Sequence, residues 1–536
     1  MPDTKTVNER SKKRIAAIDL GTNSFHALIV DIYSDASFRT VDSVKEMVTL
    51  GKEGVGSKLS PEAMERGLNA LQKFKLLIDH QGCEKVIAVA TSAIREASNG
   101  GEFIKMAGDQ IGIRIEVVPG RVEAELIGYA VQHGMALGDK PVLIMDIGGG
   151  STEFIIANND EFLFLESGKT GVARTKAGFV RHDPVSHDEI QKLTEFYKNS
   201  LRNVKQGLAE NPTDILVGSS GTMQNIATMI ARRKGQSTSV TLNEFEYSGE
   251  EFQEFYNHAI GMNHEERKKL SGLDSKRVDL IQTGLVQVKT VIETLGIKKI
   301  RTSTQALREG IIIRYIRQKT DGLRMLDEYP DTRRRSIMEL VRKCNWHEAH
   351  STHVARMALK LFDEFSHIHQ LEDSDRELLE YAALMHDIGY HISHQKHHKH
   401  ALYLILNSKL MGFNEEEIKI MGHVARYHRK SVPKKSHDLF MELSEEAQKK
   451  VKALSAILRV ADGLDRSHYQ NVIDFEVNHG NPVEIFITTL NDPQLEIWGA
   501  SYKKELFEEM VGAPLKIDGR SGEYPEKVKR EESSKV

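Results

Sequence analysis

Two short segments of this 536-residue chain share a pattern in which an apolar run ends in aspartate and enters a turn of glycine, serine and threonine. Ala17-Ile18-Asp19-Leu20-Gly21-Thr22-Asn23-Ser24 aligns with Ile144-Met145-Asp146-Ile147-Gly148-Gly149-Gly150-Ser151, and apolar runs follow both. Such a turn gathers backbone N–H groups and hydroxyls around a concavity that suits phosphate oxygens, and the neighbouring aspartate suits a divalent cation bridged to them. Gly148, Gly149 and Gly150 permit the close backbone approach this needs. One copy alone reads equally well as a glycine-rich hairpin. Two copies in register, Asp19 and Asp146 being 127 positions apart, favour phosphate binding and two similar half-domains. A second concentration of chemistry is histidine: 13 of the 23 lie between His347 and His428, where an even spread would place about 3.5, which marks a segment with its own chemistry.

Alternating strands and helices must position the repeated turns. Residues 15–19 and 27–32 read as a hairpin, and 142–147 with 154–157 repeat it. Residues 61–80 carry Leu68, Leu71, Phe74 and Ile78 at helical spacing, with Ser60 and Pro61 as N-cap and first helical residue. Strands are expected at 86–90 and 113–118, and a helix at 121–136. Residues 215–217 run into Gly218-Ser219-Ser220-Gly221-Thr222 and a helix from Met223, and 300–302 precede a helix over 305–315. Composition turns polar and charged over 317–335, the best domain boundary. From Ile337 the pattern is helical until 472–490, which together with Leu495-Glu496-Ile497-Trp498 suggests a small sheet or hairpin. Residues 519–536 read as a loose, charged end.

Length at ~150 residues per domain suggests roughly three domains. Hydrophobic residues make up 40%, charged residues 28%, and prolines number 12, which excludes long disorder and fibrous repeats. The 73 basic and 77 acidic residues leave a net charge of -4, so a polyanionic ligand must be met by local groups rather than a global field. Cys83 and Cys344 stand far apart, which excludes a disulfide framework and fits a reducing cytoplasm. Residues 1–13 are polar, with no apolar stretch of the kind that directs export, and no run approaches the ~18 apolar residues of a membrane span.

The repeated turns, together with Thr91-Ser92-Ala93-Ile94-Arg95-Glu96-Ala97, Pro119-Gly120-Arg121-Val122-Glu123-Ala124-Glu125, Thr152-Glu153 and Gly218-Ser219-Ser220-Gly221-Thr222, occur in an order that resembles the exopolyphosphatase and guanosine pentaphosphate phosphohydrolase (Ppx/GppA) family. The resemblance covers residues 14–315. It implies duplicated α/β actin-like (ribonuclease H-like) domains, the fold of sugar and acetate kinases, with the phosphate site between halves at 1–135 and 136–315. By position Glu123 matches the family's catalytic base, and a carboxylate that orients water fits phosphoanhydride hydrolysis. Glu125 is a rival on the same helix. Asp146 and Glu153, with Asp19 at the symmetric place, match the carboxylates for magnesium or manganese, and Arg95 an arginine that holds phosphate through its planar fork. Asn23, Ser24, Gly148, Gly149, Gly150 and Ser151 would supply phosphate donors, with Gly221 and Thr222 lining the distant part of the cleft.

A second signature begins near residue 322. His350-Ser351-Thr352-His353 opens a helix, His386-Asp387 follows Tyr381-Ala382-Ala383-Leu384-Met385, and Asp462 lies in Val460-Ala461-Asp462-Gly463. The series resembles the HD superfamily of helical metal-dependent phosphohydrolases, which implies an all-α domain over 322–505 and a tail over 506–536. Imidazole and carboxylate ligands suit Mn, Fe, Ni or Zn. His400 and His428 fall where some HD proteins place ligands for a second ion. His353 and His423 are weaker candidates, and His391, His394, His397 and His398 read as loop or surface residues. Many Ppx/GppA relatives have a third domain with degraded ligands. Here His350, His386, Asp387 and Asp462 are intact, so an ion is expected, whereas for activity the expectation is a vestigial pocket. Arg426, Arg429, Lys430, Lys434 and Lys435 read either as the lining of a polyphosphate channel or as a solvated face.

The leading expectation is hydrolysis of terminal phosphate from inorganic polyphosphate. Guanosine pentaphosphate hydrolysis in the same site is the close alternative, followed by a guanosine tetraphosphate-binding regulator with a silent site. A kinase would need an adenosine pocket. Neither nucleic acid nor membrane is an expected partner, and a cytoplasmic homodimer is implied by the family.

Overall fold

The computed structural model describes residues 12–33, 36–51, 58–235, 242–319, 329–344 and 346–522. The chain divides into two compact units, 1–332 and 333–536, a division that falls inside the polar, charged stretch.

The N-terminal unit holds two sheets built alike. The first comprises β1 (Lys12–Leu20), β2 (Ser24–Tyr33), β3 (Phe38–Met47), β4 (Lys85–Ala90) and β5 (Ile115–Val117), in the order β3-β2-β1-β4-β5. The second comprises β6 (Val142–Ile147), β7 (Thr152–Ala157), β8 (Phe162–Gly168), β9 (Ile215–Ser219), β10 (Glu246–Ser248) and β11 (Lys299–Thr302), in the order β8-β7-β6-β9-β11-β10. In each, two antiparallel hairpins lead into two parallel strands on the other side, and in the second sheet β10 adds an antiparallel edge beside β11. The sequence repeat is therefore a repeat of topology, as the actin-like arrangement requires. All of β6 and β7 is buried, which fits the apolar runs 142–145 and 154–157 within them.

Local chemistry sets the helix starts. The helix Pro61–His80 begins where Ser60 accepts a hydrogen bond from the Ala63 N–H, and it buries Met64, Leu71, Phe74 and Ile78. The helix Ser220–Arg233 starts three residues earlier than the sequence suggests, at Ser220, whose φ is 78°. A non-glycine residue held there costs about 1–3 kcal/mol, and such strain gathers at functional sites.

The helix Leu307–Lys319 ends the second half in sequence but packs on the helix Gly120–Gly134 and β1. Leu307, Ile311 and Ile312 share one core with Ile15 and Leu126 from the first half and Ile144 and Ile155 from the second. Gly310 permits this contact, because a Cβ there would stand 1.9 Å from the Leu126 carbonyl oxygen. Gly310→Ala is expected to destabilise the unit by about 3 kcal/mol, because backbone rather than a flexible side chain must move. Chemical denaturation monitored by circular dichroism checks this.

The C-terminal unit contains the helices Glu348–Glu364, Asp373–Met385, His397–Leu406, Glu415–Tyr427 and Glu445–Gly463. It is not all-α: β12 (Val472–Asn478), β13 (Val483–Thr489) and β14 (Leu515–Ser521) form a three-stranded sheet. Val483, Ile485, Ile487 and Thr489 are buried at alternate positions along β13, a half-buried strand. Leu495 to Trp498, read as strand, lies in the helix Gln494–Tyr502. There Glu496, Gly499 and Ala500 face inward while Leu495, Trp498 and Tyr502 are exposed, a period near 3.6 rather than 2. Asn471 Nδ2 donates to the buried Glu496 at 2.9 Å. Within 506–536, the helix Glu505–Val511 and β14 are ordered elements, and residues 523–536 lie outside the described ones. Among the described residues no helix is long and apolar enough to cross a membrane.

Candidate functional site

Asp19 near the end of β1 and Asp146 near the end of β6 open the two repeated turns, and both turns close the same way. Gly21 N donates to Ser24 O at 3.2 Å, and Gly148 N to Ser151 O at 3.0 Å. The turns line a cavity of about 320 Å³ in the N-terminal unit. Of the residues singled out from sequence, Asp19, Asn23, Ser24, Glu123, Asp146, Gly148, Gly149, Ser151, Glu153 and Gly221 line it. Gly150, Thr222 and Arg95 are not among its walls. The Gly150 carbonyl accepts from Arg174 Nε at 2.7 Å, and Thr222 Oγ1 accepts from Arg277 Nη1 at 3.3 Å. Arg95 Nη1 donates to Glu123 Oε2 and to the Val118 carbonyl, each at 2.8 Å. Arg95 is thus engaged by a carboxylate, where the family resemblance implies a phosphate.

Glu123 sits in the first turn of the helix Gly120–Gly134 and is 6% exposed. Glu125 is engaged elsewhere, accepting from Tyr129 Oη at 2.9 Å. Glu153 pairs across the sheet with Asp146 and accepts from Ser167 Oγ at 2.8 Å. Burial and the Glu123 charge push the Asp19 carboxyl up to about 7. Burial, opposed by Arg95, pushes Glu123 up to about 7, and burial opposed by Ser219 and Arg277 pushes Asp146 up to about 6. Burial with the charges of Glu123 and Asp146 raises Glu153 well above the usual range. Three buried carboxylates and the half-buried Asp19, which resist ionising together, form a hard-oxygen set short of positive charge, and Asp19 Oδ1 is buried with no hydrogen-bond partner. Magnesium or manganese fits that set.

The repeat also exposes an asymmetry. His26, opposite Asp19 across the first hairpin, occupies the place of Glu153, opposite Asp146 in the second. Burial with Arg308 and Lys45 nearby pushes His26 down to about 3, so it is neutral, and it shares a hydrogen bond with Ser24 Oγ at 2.9 Å. The second hairpin therefore brings two carboxylates to the cleft where the first brings one. Lys45, Arg277 and Arg308 line the cavity and went unnoticed in the sequence, because each lies far from the repeated turns and only folding brings them together.

The C-terminal unit holds a second constellation. Asp387 Oδ2 lies 3.7 Å from His350 Nε2 and 3.6 Å from His386 Nε2, and Asp462 Oδ1 lies 3.6 and 3.8 Å from the same nitrogens. Asp387 Oδ1 lies 3.2 Å from His397 Nε2 and 3.7 Å from His428 Nε2. His350, His386, Asp387, Asp462 and His428 converge as the sequence suggests. His400 is not among the converging groups; His397, at the start of the same helix and 1% exposed, takes that place. His397 is thus a buried residue, not a loop or surface one. The opposite ring nitrogens are all engaged: His350 Nδ1 with Asp465 Oδ2 at 2.8 Å, and Nδ1 of His386, His397 and His428 with the carbonyls of Ala383, His394 and Ala425 at 2.6, 3.2 and 2.7 Å. An Nδ1–H bound to a carbonyl leaves the Nε2 lone pairs of His386 and His428 free for an ion, whereas His397 Nε2 lies 3.2 Å from Arg429 Nη1 and accepts from it. Asp465, three residues after Asp462, also escaped the sequence reading.

The family model described as the Ppx/GppA phosphatase family matches residues 28–319, and that described as Ppx/GppA phosphatase, domain III, matches residues 332–493. The guanosine-5'-triphosphate,3'-diphosphate pyrophosphatase of Aeromonas hydrophila subsp. hydrophila is 31% identical over 410 residues, which is 76% of this chain and 79% of that protein. The crystal structure of an exopolyphosphatase from Cytophaga hutchinsonii is 32% identical with a TM-score of 0.55, covering 58% of this chain and all of that one. A Ppx/GppA family member from Aquifex aeolicus, 24% identical with a TM-score of 0.51 over 58% of this chain and 100% of its own, shares the fold.

Proposed function

The chain belongs to the Ppx/GppA phosphatase family, and on that premise we propose that its cleft hydrolyses the terminal phosphoanhydride bond of inorganic polyphosphate. The observation that carries this is Glu123, buried in the cavity wall, paired with Arg95 and accompanied by Asp19, Asp146 and Glu153. Glu123 orients a water and takes its proton as the water oxygen bonds to the terminal phosphorus. The bridging P–O bond breaks, and the proton passes to the oxygen left on the shortened chain. A carboxyl near neutrality is suited to both transfers. Asp146, Glu153 and Asp19 would hold a magnesium or manganese ion, which when bound supplies charge neutralisation at the phosphoryl oxygens. Asn23, Ser24, Ser151 and the N–H group of Gly149 bind the remaining oxygens, while the Gly148 N–H closes the turn on Ser151.

Arg277 and Arg308 carry the rest of the anion's charge. Arg277→Ala is expected to raise KM for polyphosphate about tenfold, the worth of one charge-assisted contact, with kcat much less affected. Gly221→Ala should act in the same direction, since its Cβ would overlap the Arg277 guanidinium. Initial rates over a range of substrate concentrations check both.

Guanosine pentaphosphate hydrolysis in the same cleft is the second reading, supported by the identity to the Aeromonas hydrophila relative over 76% of the chain. Phosphate release from polyphosphate and from guanosine pentaphosphate, measured side by side with magnesium, separates the two. Release from neither, with any divalent cation, would leave the guanosine tetraphosphate-binding regulator. The C-terminal unit reads as an HD-type domain in which His350, His386, Asp387 and Asp462 hold a divalent ion. Family membership further supports a cytoplasmic homodimer that engages neither nucleic acid nor membrane.

A further inference from the structure

We propose that Glu96 and Arg174, one from each half of the N-terminal unit, are positioning residues that hold the turn 148–151 ready for phosphate and fix it against Glu123. This deepens the proposed reading of the cleft and rests on it. Neither side chain is among the cavity walls, so both act through other groups.

The three glycine carbonyls of the turn are all tied to one helix. The Val172 N–H donates to Gly148 O at 3.0 Å, the Ala173 and Arg174 N–H groups donate to Gly149 O at 2.9 and 3.1 Å, and Arg174 Nε donates to Gly150 O at 2.7 Å. The first N–H groups of a helix have no partner within it, and the helix Val172–Phe179 gives its own to the turn. Gly171 permits the approach, because a Cβ there would stand 2.5 Å from the Gly149 carbonyl carbon. In a planar trans peptide the C=O of one residue and the N–H of the next point in opposite directions. Drawing these carbonyls to the helix therefore turns the N–H groups of Gly149, Gly150 and Ser151 away from it, and Gly149 and Ser151 line the cavity. Such a run of N–H groups is an anion nest, and its last member, the Ser151 N–H, is set by the Arg174 side chain alone.

Arg174 is held in turn from the other half. Its Nη2 donates to Glu96 Oε1 at 2.9 Å, and Lys169 Nζ stands 3.1 Å from Glu96 Oε2. The side chains of Glu96 and Arg174 are 12% and 19% exposed, a shielded pair in which one planar fork meets two acceptors. Glu96 ends the helix Ser92–Glu96, directly after Arg95, which donates to Glu123 Oε2. Two consecutive residues of the first half thus engage the general base and, through Arg174, the phosphate turn of the second half. A carboxylate in this place opposes a polyanion, and its charge reaches the site: burial, then the charges of Asp146 and Glu96, raise the Glu123 carboxyl. Alignment offsets that repulsion, since a misplacement of about 1 Å between attacking oxygen and phosphorus lowers a rate about 10²-fold.

The test uses the full chain, with phosphate release from polyphosphate and calorimetric titration of inorganic phosphate in magnesium as separate readouts. Glu96→Ala is expected to lower kcat about 10²-fold and to weaken phosphate binding about tenfold. Removing a carboxylate that merely repels the substrate would do the reverse, tightening phosphate and lowering KM, and that result overturns the proposal. Arg174→Ala should lose as much, and Glu96→Ala/Arg174→Ala no more than either alone; losses that multiply overturn the coupling. Glu96→Gln keeps an oxygen for Arg174 and should recover most of kcat, whereas a rate no better than that of Glu96→Ala overturns the hydrogen-bonding role. Circular dichroism verifies folding. If Arg174→Ala does not fold, Arg174→Lys decides: it keeps the charge but cannot meet both Gly150 O and Glu96, so full activity in it overturns the proposal. Phosphate release by the unaltered chain from neither polyphosphate nor guanosine pentaphosphate overturns the reading of the cleft, whereas phosphate affinity left unchanged by Glu96→Ala overturns the positioning role.

Discussion

Glu123→Gln is expected to lower kcat for phosphate release by about 10³, within the range seen when a general base is removed, and to leave KM within about twofold. Glutamine preserves the shape of the side chain and can still accept from Arg95, which donates to Glu123 Oε2 at 2.8 Å, but it cannot take a proton. Glu125→Gln is the matched control. It sits two residues along the same helix, its carboxylate is engaged by Tyr129, and it does not line the cavity, so kcat should stay within about twofold. Loss of activity in both variants would point to the helix rather than the carboxylate. Colorimetric phosphate release, with circular dichroism to verify folding, reads the difference.

Asp146→Asn and Glu153→Gln carry the second large effect. Each removes one carboxylate oxygen from the pair that faces itself across β6 and β7 and is proposed to hold the ion. Transition-state charge stabilisation by a held ion is worth several kcal/mol, so kcat should fall by about 10² or more in each. The magnesium affinity, read directly by titration calorimetry, should weaken at least tenfold. Each variant should also regain part of its rate at high magnesium, which Glu123→Gln should not. His26→Ala, at the place in the first half that Glu153 holds in the second, should leave magnesium affinity unchanged. That contrast follows from the broken symmetry of the repeat: the same register position carries a neutral imidazole on one side and a buried carboxylate on the other.

Much of the cleft was readable because it is local. Each turn is a contiguous strand-aspartate-turn segment, and the two turns announce each other by repetition. The helix Pro61–His80 was readable end to end because Ser60 and Pro61 fix its start. What escaped depends on the fold. Arg277 and Arg308 reach the cavity from short segments with no periodicity of their own. His397 and His400 lie on one helix, and which of them faces Asp387 depends on where that helix begins, just after Lys396 in a left-handed conformation that no residue type nearby announces. Leu495 and Ile497 alternate like a strand, yet the residues that decide the element are Glu496, Gly499 and Ala500, which pack inward. Arg95 was legible as an arginine after a strand, but its partner Glu123 lies 28 positions away.

In the proposed reaction, water oriented by Glu123 attacks the terminal phosphorus. Hydrolysis of polyphosphate in ¹⁸O-enriched water, followed by mass spectrometry of the products, tests it most directly. The expected result is one ¹⁸O in each released phosphate and none in the shortened chain, with the labelled product falling in parallel with kcat in Glu123→Gln. Label in the shortened chain, or release of phosphate without label, would contradict it.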